Sequence, residues 1–195
     1  MIDSYGDRWS DEVNEEFLRV RDEFLQDDYW NSPDIESWNR IMQNLMVRKE
    51  LTLSTAESCT GGYMASQIAS IAGSSGYYLG SVISYSNEVK KNVLGVSAET
   101  LANHGAVSTQ CAEEMLAGVL KVIQSDVGIA VTGIAGPGGG SDEKPVGTVF
   151  VCVGDAKSHQ THRIYCDRDR KGVVEYTYHR AMYLLYRFLT EPENK

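Results

Sequence analysis

From Leu51 to Leu189, short apolar runs alternate with stretches of helical period, and that alternation limits the chain to few folds. Leu51–Thr55 reads as a strand and Thr60–Ala72 as a helix. Tyr77–Tyr85, rich in β-branched and aromatic residues, reads as a second strand. Helical stretches follow over Glu88–Leu94 and Ala98–Asn103. Ser108 then caps a longer helix whose Ala112, Met115, Leu116, Val119 and Ile123 face inward. Val127–Thr132 is apolar without helical period, the pattern of a strand buried on both faces. Val146–Val153 and Gln160–Tyr165 read as further strands and Arg170–Leu189 as a closing helix. The pattern predicts an α/β fold, a three-layer α/β/α sandwich around a mainly parallel, mixed sheet.

The chain before this region differs in kind. Residues 1–42 hold 12 acids and 4 bases, whereas residues 43–195 hold 15 acids and 14 bases, so nearly all of the net charge of −9 sits at the N-terminal end. All three tryptophans (Trp9, Trp30, Trp38) lie there too, which is too aromatic for a simple disordered tail. Ser10 suits an N-cap, and Val13, Phe17, Val20 and Phe24 make one apolar helical stripe. Ser32-Pro33 starts a second helix, with Ile35, Trp38, Ile41, Met42 and Leu45 on its buried face. The expected division is a helical extension over 1–32 and an α/β domain over 33–195. The stripes read as docking onto the core; a dimer contact or a lid over a site is the alternative.

An acidic chain is a poor nucleic-acid binder. No run of 18 apolar residues exists to span a membrane, and no basic and apolar leader is visible. Cys59, Cys111, Cys152 and Cys166 are scattered without a Cys-x-x-Cys pair, as in a reduced, cytoplasmic protein. His104, His159, His162 and His179 form no ligand cluster, so neither a metal nor another cofactor is expected.

Ligands of open α/β sheets bind where strands end and helices begin, and three such segments carry chemistry. In Glu57-Ser58-Cys59-Thr60-Gly61-Gly62 a strand runs into a helix, whose free N–H groups favour an anion such as phosphate. Ser58 reads there either as a nucleophile or, with Thr60, as a helix cap. Cys59 is a second possible nucleophile or a buried structural thiol. In Tyr85-Ser86-Asn87-Glu88-Val89-Lys90-Lys91, Ser86 and Lys90 are four apart on one helix face. Lys90 is a base for a serine if buried and a solvated surface charge otherwise. Thr132-Gly133-Ile134-Ala135-Gly136-Pro137-Gly138-Gly139-Gly140 has five glycines in nine residues between two apolar strands, a loop whose amides suit an anion or an oxyanion.

Together, TAESCTGG, GSSGYYLGSVISYSNEVKKNVLGV, HGAVS and TGIAGPGGGSDEKPVGTV resemble the CinA C-terminal domain family, over about Ile41 to Leu189. Its enzymatic members are nicotinamide mononucleotide deamidases. The resemblance implies an α/β/α fold and metal-free hydrolysis of the carboxamide of nicotinamide mononucleotide to nicotinate mononucleotide and ammonia. It implies Ser58 as nucleophile, Lys90 as base and Tyr85 as proton relay. Thr60, Gly61, Gly62, Ser74, Ser75, Asn87, Thr132, Gly133 and Arg170 would bind the substrate, with backbone N–H groups near Gly61 or Gly133 as the oxyanion hole. It also suggests a homo-oligomer. Arg168 stands where the family has glycine before Asp169-Arg170. A domain of this fold that binds a nucleotide or a partner without turnover is the competing reading.

Overall fold

The computed structural model describes residues 35–190; the extension helix with its Val13–Phe24 stripe and the Ser32-Pro33 start lie outside them. Helix α1 (Ile35–Arg48) is followed by strand β1 (Leu53–Glu57), helix α2 (Tyr63–Ala69) and strand β2 (Tyr78–Ile83). Three helices follow, α3 (Asn87–Leu94), α4 (Ala98–Asn103) and α5 (Thr109–Ile123). Strands β3 (Val127–Gly133), β4 (Thr148–Asp155) and β5 (His159–Tyr165) and helix α6 (Arg170–Thr190) complete the chain. The sheet order is β2-β1-β3-β4-β5. β1 is parallel to both β2 and β3, while β4 and β5 continue the sheet antiparallel. The sheet is therefore mixed, with its parallel part confined to β2-β1-β3.

Two apolar clusters make the three layers. Trp38, Met42 and Met46 of α1, Met64 and Ile68 of α2 and Tyr178, Met182 and Leu185 of α6 pack on one sheet face with Ile129, Val131, Val149 and Val151. Leu94 of α3 and Met115, Leu116 and Val119 of α5 pack on the other, against Ala56, Ala130 and Cys152. Alternation along β3 divides its residues between the two cores. Among the described residues no helix is long and apolar enough to cross a membrane.

β1 is buried along its whole length although its sequence is Leu-Ser-Thr-Ala-Glu. Buried polar groups must find partners, and these do. Ser54 Oγ lies 2.6 Å from Ser125 Oγ, and Thr55 Oγ1 lies 2.7 Å from the Tyr78 hydroxyl. The entry to the strand is fixed by Asp126, whose Oδ2 accepts from Thr52 N at 2.8 Å and from Thr52 Oγ1 at 2.6 Å. These bonds hold its carboxyl below the ordinary 3.8. A depressed carboxylate pKa stabilises the fold above the unfolded value, and that contribution is lost as pH falls through the folded one. Because these bonds are solvent-exposed and screened, Asp126→Ala is expected to cost only about 0.5–1 kcal/mol at neutral pH. The gap to wild type should shrink in acid below 3.8. Urea unfolding at both pH values measures it, and equal stability at pH 7 would rule it out.

Candidate active site

The three parallel strands end side by side. Ser58 N donates to Val131 O at 3.0 Å and Ser84 N to Glu57 O at 2.7 Å, so the ladder continues one residue past β1 and β2. Ser58 thereby stands between Ser84 and the Thr132-Gly133 end of β3. β1 leads through α2 to β2 on one side, and the chain returns through α3–α5 to β3 on the other. Reversals of this kind open a crevice at the strand ends.

Lys90 enters the crevice from α3. Ser86 caps that helix, its Oγ accepting from Val89 N at 3.3 Å. Ser86 is therefore not the serine that Lys90 meets, as equal spacing on one face suggests. Lys90 turns inward, is 1% exposed, and donates from Nζ to Ser58 Oγ at 2.8 Å and to Ser84 O at 2.6 Å. Among the described residues no carboxylate lies within ion-pairing distance of it. Burial depresses the Lys90 pKa from its ordinary 10.5, against an upward pull from Cys111 and Cys59. The physical cause is desolvation of an ammonium without a counter-charge. When Nζ is neutral the same contact reverses, and Ser58 Oγ–H donates to the nitrogen lone pair. Ser84 O, holding one N–H, keeps that lone pair aimed. Cys59 is buried, and burial pushes its thiol up to about 12, so it is protonated at neutral pH and a poor nucleophile beside Ser58.

The start of α2 differs from expectation. The anion at this helix N-terminus is the chain's own Glu57, fully buried. Its Oε2 accepts from Thr60 Oγ1 at 2.7 Å, Gly62 N at 3.0 Å and Met64 N at 3.1 Å, and its Oε1 from Ala65 N at 2.8 Å and Ser81 Oγ at 3.3 Å. A substrate phosphate therefore finds the Gly62, Met64 and Ala65 amides of the first turn already taken. Gly61 N is also spent, on Ser58 O at 3.1 Å, which removes it as an oxyanion donor. The turn is tight: Gly62 has φ +99, and a Cβ on it would meet Ile83 Cδ1 at 2.9 Å.

Other predicted residues divide by position. Thr132 is buried beside the crevice with Oγ1 donating to Ala106 O at 2.7 Å, and Gly133 follows it. Tyr85 follows buried Ser84 and points out, 62% exposed. Its hydroxyl accepts from Arg170 Nη2 at 3.0 Å, and Nη1 of the same guanidinium donates to Gly136 O at 2.9 Å. Arg170 thus ties the end of β2 to the glycine loop. Among the described residues Tyr85 makes no hydrogen bond to Ser58 or Lys90. Asn87 is exposed at the first turn of α3. Ser74 and Ser75 form a short turn before β2, at the sheet end where Leu53 pairs with Tyr78. That is the end opposite Ser58, so a single chain does not bring them to the crevice. A cavity of about 810 Å³ adjoins Arg170, lined by Tyr63, Pro137, Val146, Arg168 and Val174 among others but by neither Ser58 nor Lys90.

The family model for the CinA C-terminal domain matches residues 35–189. The chain belongs to this family. A CinA-like protein of Pseudothermotoga lettingae is 42% identical over 146 residues, 75% of this chain and 36% of that protein. A putative competence-damage inducible protein of Halothermothrix orenii is 46% identical over 146 residues, 74% of this chain and 35% of that one. The chain spans about a third of the length of these relatives. Among solved structures, the competence damage-inducible protein A (ComA) from Klebsiella pneumoniae superposes with a TM-score of 0.79 at 36% identity, covering 82% of this chain and 99% of that one. The competence/damage inducible protein CihA from Agrobacterium tumefaciens gives 0.77 at 40%, covering 80% and 96%. The CinA fold therefore accounts for the described residues from α1 to α6.

Proposed function

We propose that this chain is an amidohydrolase that converts nicotinamide mononucleotide to nicotinate mononucleotide and ammonia, with Ser58 as nucleophile and Lys90 as base. The observation that carries the reading is the 2.8 Å contact of Lys90 Nζ with Ser58 Oγ in a buried setting. Neutral Lys90 takes the Ser58 proton as Oγ attacks the carboxamide carbon, and the carbonyl oxygen gathers the negative charge. Collapse breaks the C–N bond. Lys90 returns its proton to the departing nitrogen, and ammonia leaves an ester on Ser58. Water, deprotonated by the same amine, attacks the ester and releases the carboxylate product. The oxyanion donors in this reading are the N–H groups of Cys59 and Thr60, the residues after the nucleophile. Neither amide donates to another residue among those described. Arg170 and Tyr85 at the rim supply the charge and the phenol that suit a phosphate-bearing substrate.

The test is direct. Purified protein is incubated with nicotinamide mononucleotide in the presence of a chelator. Ammonia and nicotinate mononucleotide are expected in equal amounts. Binding of the nucleotide without either product would replace this reading with a binding domain.

A further inference from the structure

The seven amides from Cys59 to Ala65 can be accounted for one by one. Gly61 N donates to Ser58 O and Tyr63 N to Thr60 O, both local turn bonds. Gly62, Met64 and Ala65 donate to the Glu57 carboxylate. Cys59 and Thr60 alone donate to no other residue among those described. Glu57 is the last residue of β1, with Ser58 next to it, and its backbone is fixed in register between Ile83 and Val131. Its side chain thus spans from a rigid strand, past the nucleophile, to the first turn of α2. A buried carboxylate without a cation is costly unless several donors surround it. Here five do, three of them backbone N–H groups. The geometry has a further consequence: a Gln side chain of the same length offers one acceptor oxygen and turns an N–H₂ toward the remaining donors.

We propose that Glu57 is a positioning residue for the Ser58 reaction: its carboxylate gathers the Gly62, Met64 and Ala65 amides and so holds Ser58 Oγ against Lys90 with the Cys59 and Thr60 amides turned to the oxyanion. The proposal rests on the Ser58–Lys90 reading above and concerns the placement of the nucleophile, whatever amide it cleaves. Glu57 touches no substrate atom. It acts through the turn, and it also closes the α2 N-terminus to the substrate's own anion.

The experiment compares wild type, Glu57→Gln, Glu57→Asp and Ser58→Ala, with two readouts. The first is the rate constant for labelling by a fluorophosphonate probe. In that reaction Ser58 Oγ displaces fluoride from phosphorus, Lys90 takes the proton, and the phosphoryl oxygen sits in the oxyanion position. The second is kcat and KM for nicotinamide mononucleotide. Glu57→Gln is expected to lower the labelling rate constant and kcat about 100-fold, the loss typical of one misplaced oxyanion donor, with KM changed less than about threefold. Glu57→Asp keeps the charge and is expected to recover part of both. A labelling rate constant, unlike a final extent, is not moved by a mere loss of folded protein. Wild-type labelling rates in Glu57→Gln would overturn the proposal, as would an Asp variant no faster than Gln with both folded. If Glu57→Gln does not fold, Thr60→Val removes one donor and leaves the carboxylate. Unchanged labelling in that variant would overturn the proposal as well. Wild type that labels at Ser58 but leaves nicotinamide mononucleotide intact would sink the substrate assignment, and the Glu57 comparison would still stand on labelling. Wild type that takes no label would sink both.

Discussion

Ser58→Ala and Lys90→Ala are each expected to lower amide turnover by about four orders of magnitude or more, because a nucleophile and its base act as one unit. Their double variant should be no worse than either alone. The pH dependence separates the two roles. Lys90 must be neutral to accept the Ser58 proton, and burial lowers its pKa from the ordinary 10.5. Below the lowered value most of the enzyme carries the ammonium, so log kcat/KM should rise with pH and level off at a pH short of 10.5. Lys90→Arg keeps the positive charge and has no usable lone pair, so it should be as inactive as alanine at every pH. A flat pH profile in wild type, or substantial turnover by Lys90→Arg, would take the base role away from Lys90.

The same desolvation has a cost in stability, and its sign follows from linkage. Between the lowered Lys90 pKa and 10.5, the unfolded chain binds a proton that the folded one does not, so the contribution of Lys90 to stability increases with pH across that window. Below the window both states are protonated, and the folded state carries the full expense of a buried ammonium with only Ser58 Oγ and Ser84 O as partners. Nothing in packing calls for this. In the proposed reading the site trades stability for a usable amine, in keeping with the clustering of perturbed groups at functional sites.

Much of the frame is legible in the chain. The alternation of apolar runs and helical periods gives every element from β1 to α6 within a few residues, because each depends on local periodicity. The strand read over Leu51–Thr55 shows what a local window misses. It begins at Leu53 and runs to Glu57, two residues further along. Ser54, Thr55 and Glu57 are polar, so a local window does not read them as fully buried, and the partners Ser125, Tyr78 and the α2 amides make that burial possible. Those partners lie outside any local window. The same holds for Lys90. Spacing on α3 pairs it with Ser86, yet Ser86 caps the helix while Lys90 crosses to Ser58, 32 residues earlier. The motifs that resemble the CinA family name both residues, whereas periodicity alone does not join them. Glu57 has a faint local signal: a carboxylate three residues before a threonine and five before a glycine that opens a helix. Without the turn geometry nothing tells that its side chain, and not a ligand, fills the helix end. The direction of β4 and β5 is hidden for a similar reason, since apolar alternation reads the same either way and the long glycine loop returns the chain antiparallel.

Gly118→Ala tests how the site depends on packing behind it, and two opposing effects decide its sign. Gly118 lies inside α5, where alanine is intrinsically better by about 1 kcal/mol. A Cβ there, however, would stand 2.0 Å from Leu94 O and 2.7 Å from Leu94 C. Both atoms are backbone of α3, so no rotamer change relieves the clash and the helix itself must move. Overpacking costs about 1–3 kcal/mol, and a clash with backbone that cannot rotate aside belongs in the upper part of that range, about 2–3 kcal/mol; less the gain from alanine, the net expectation is destabilisation by about 1–2 kcal/mol and a fall in Tm of about 2–8 °C for a domain of this size. The functional effect should be larger. Leu94 is one helical turn beyond Lys90 and points inward with it. Shifting α3 outward withdraws Nζ from Ser58 Oγ, and a misplacement near 1 Å can cost about 100-fold in rate. The expected variant is folded, modestly less stable, and 10- to 100-fold slower at about unchanged KM. Thermal melts and steady-state kinetics on the same preparation measure both. A variant as stable as wild type and equally fast would mean that α3 and α5 separate without carrying Lys90 along.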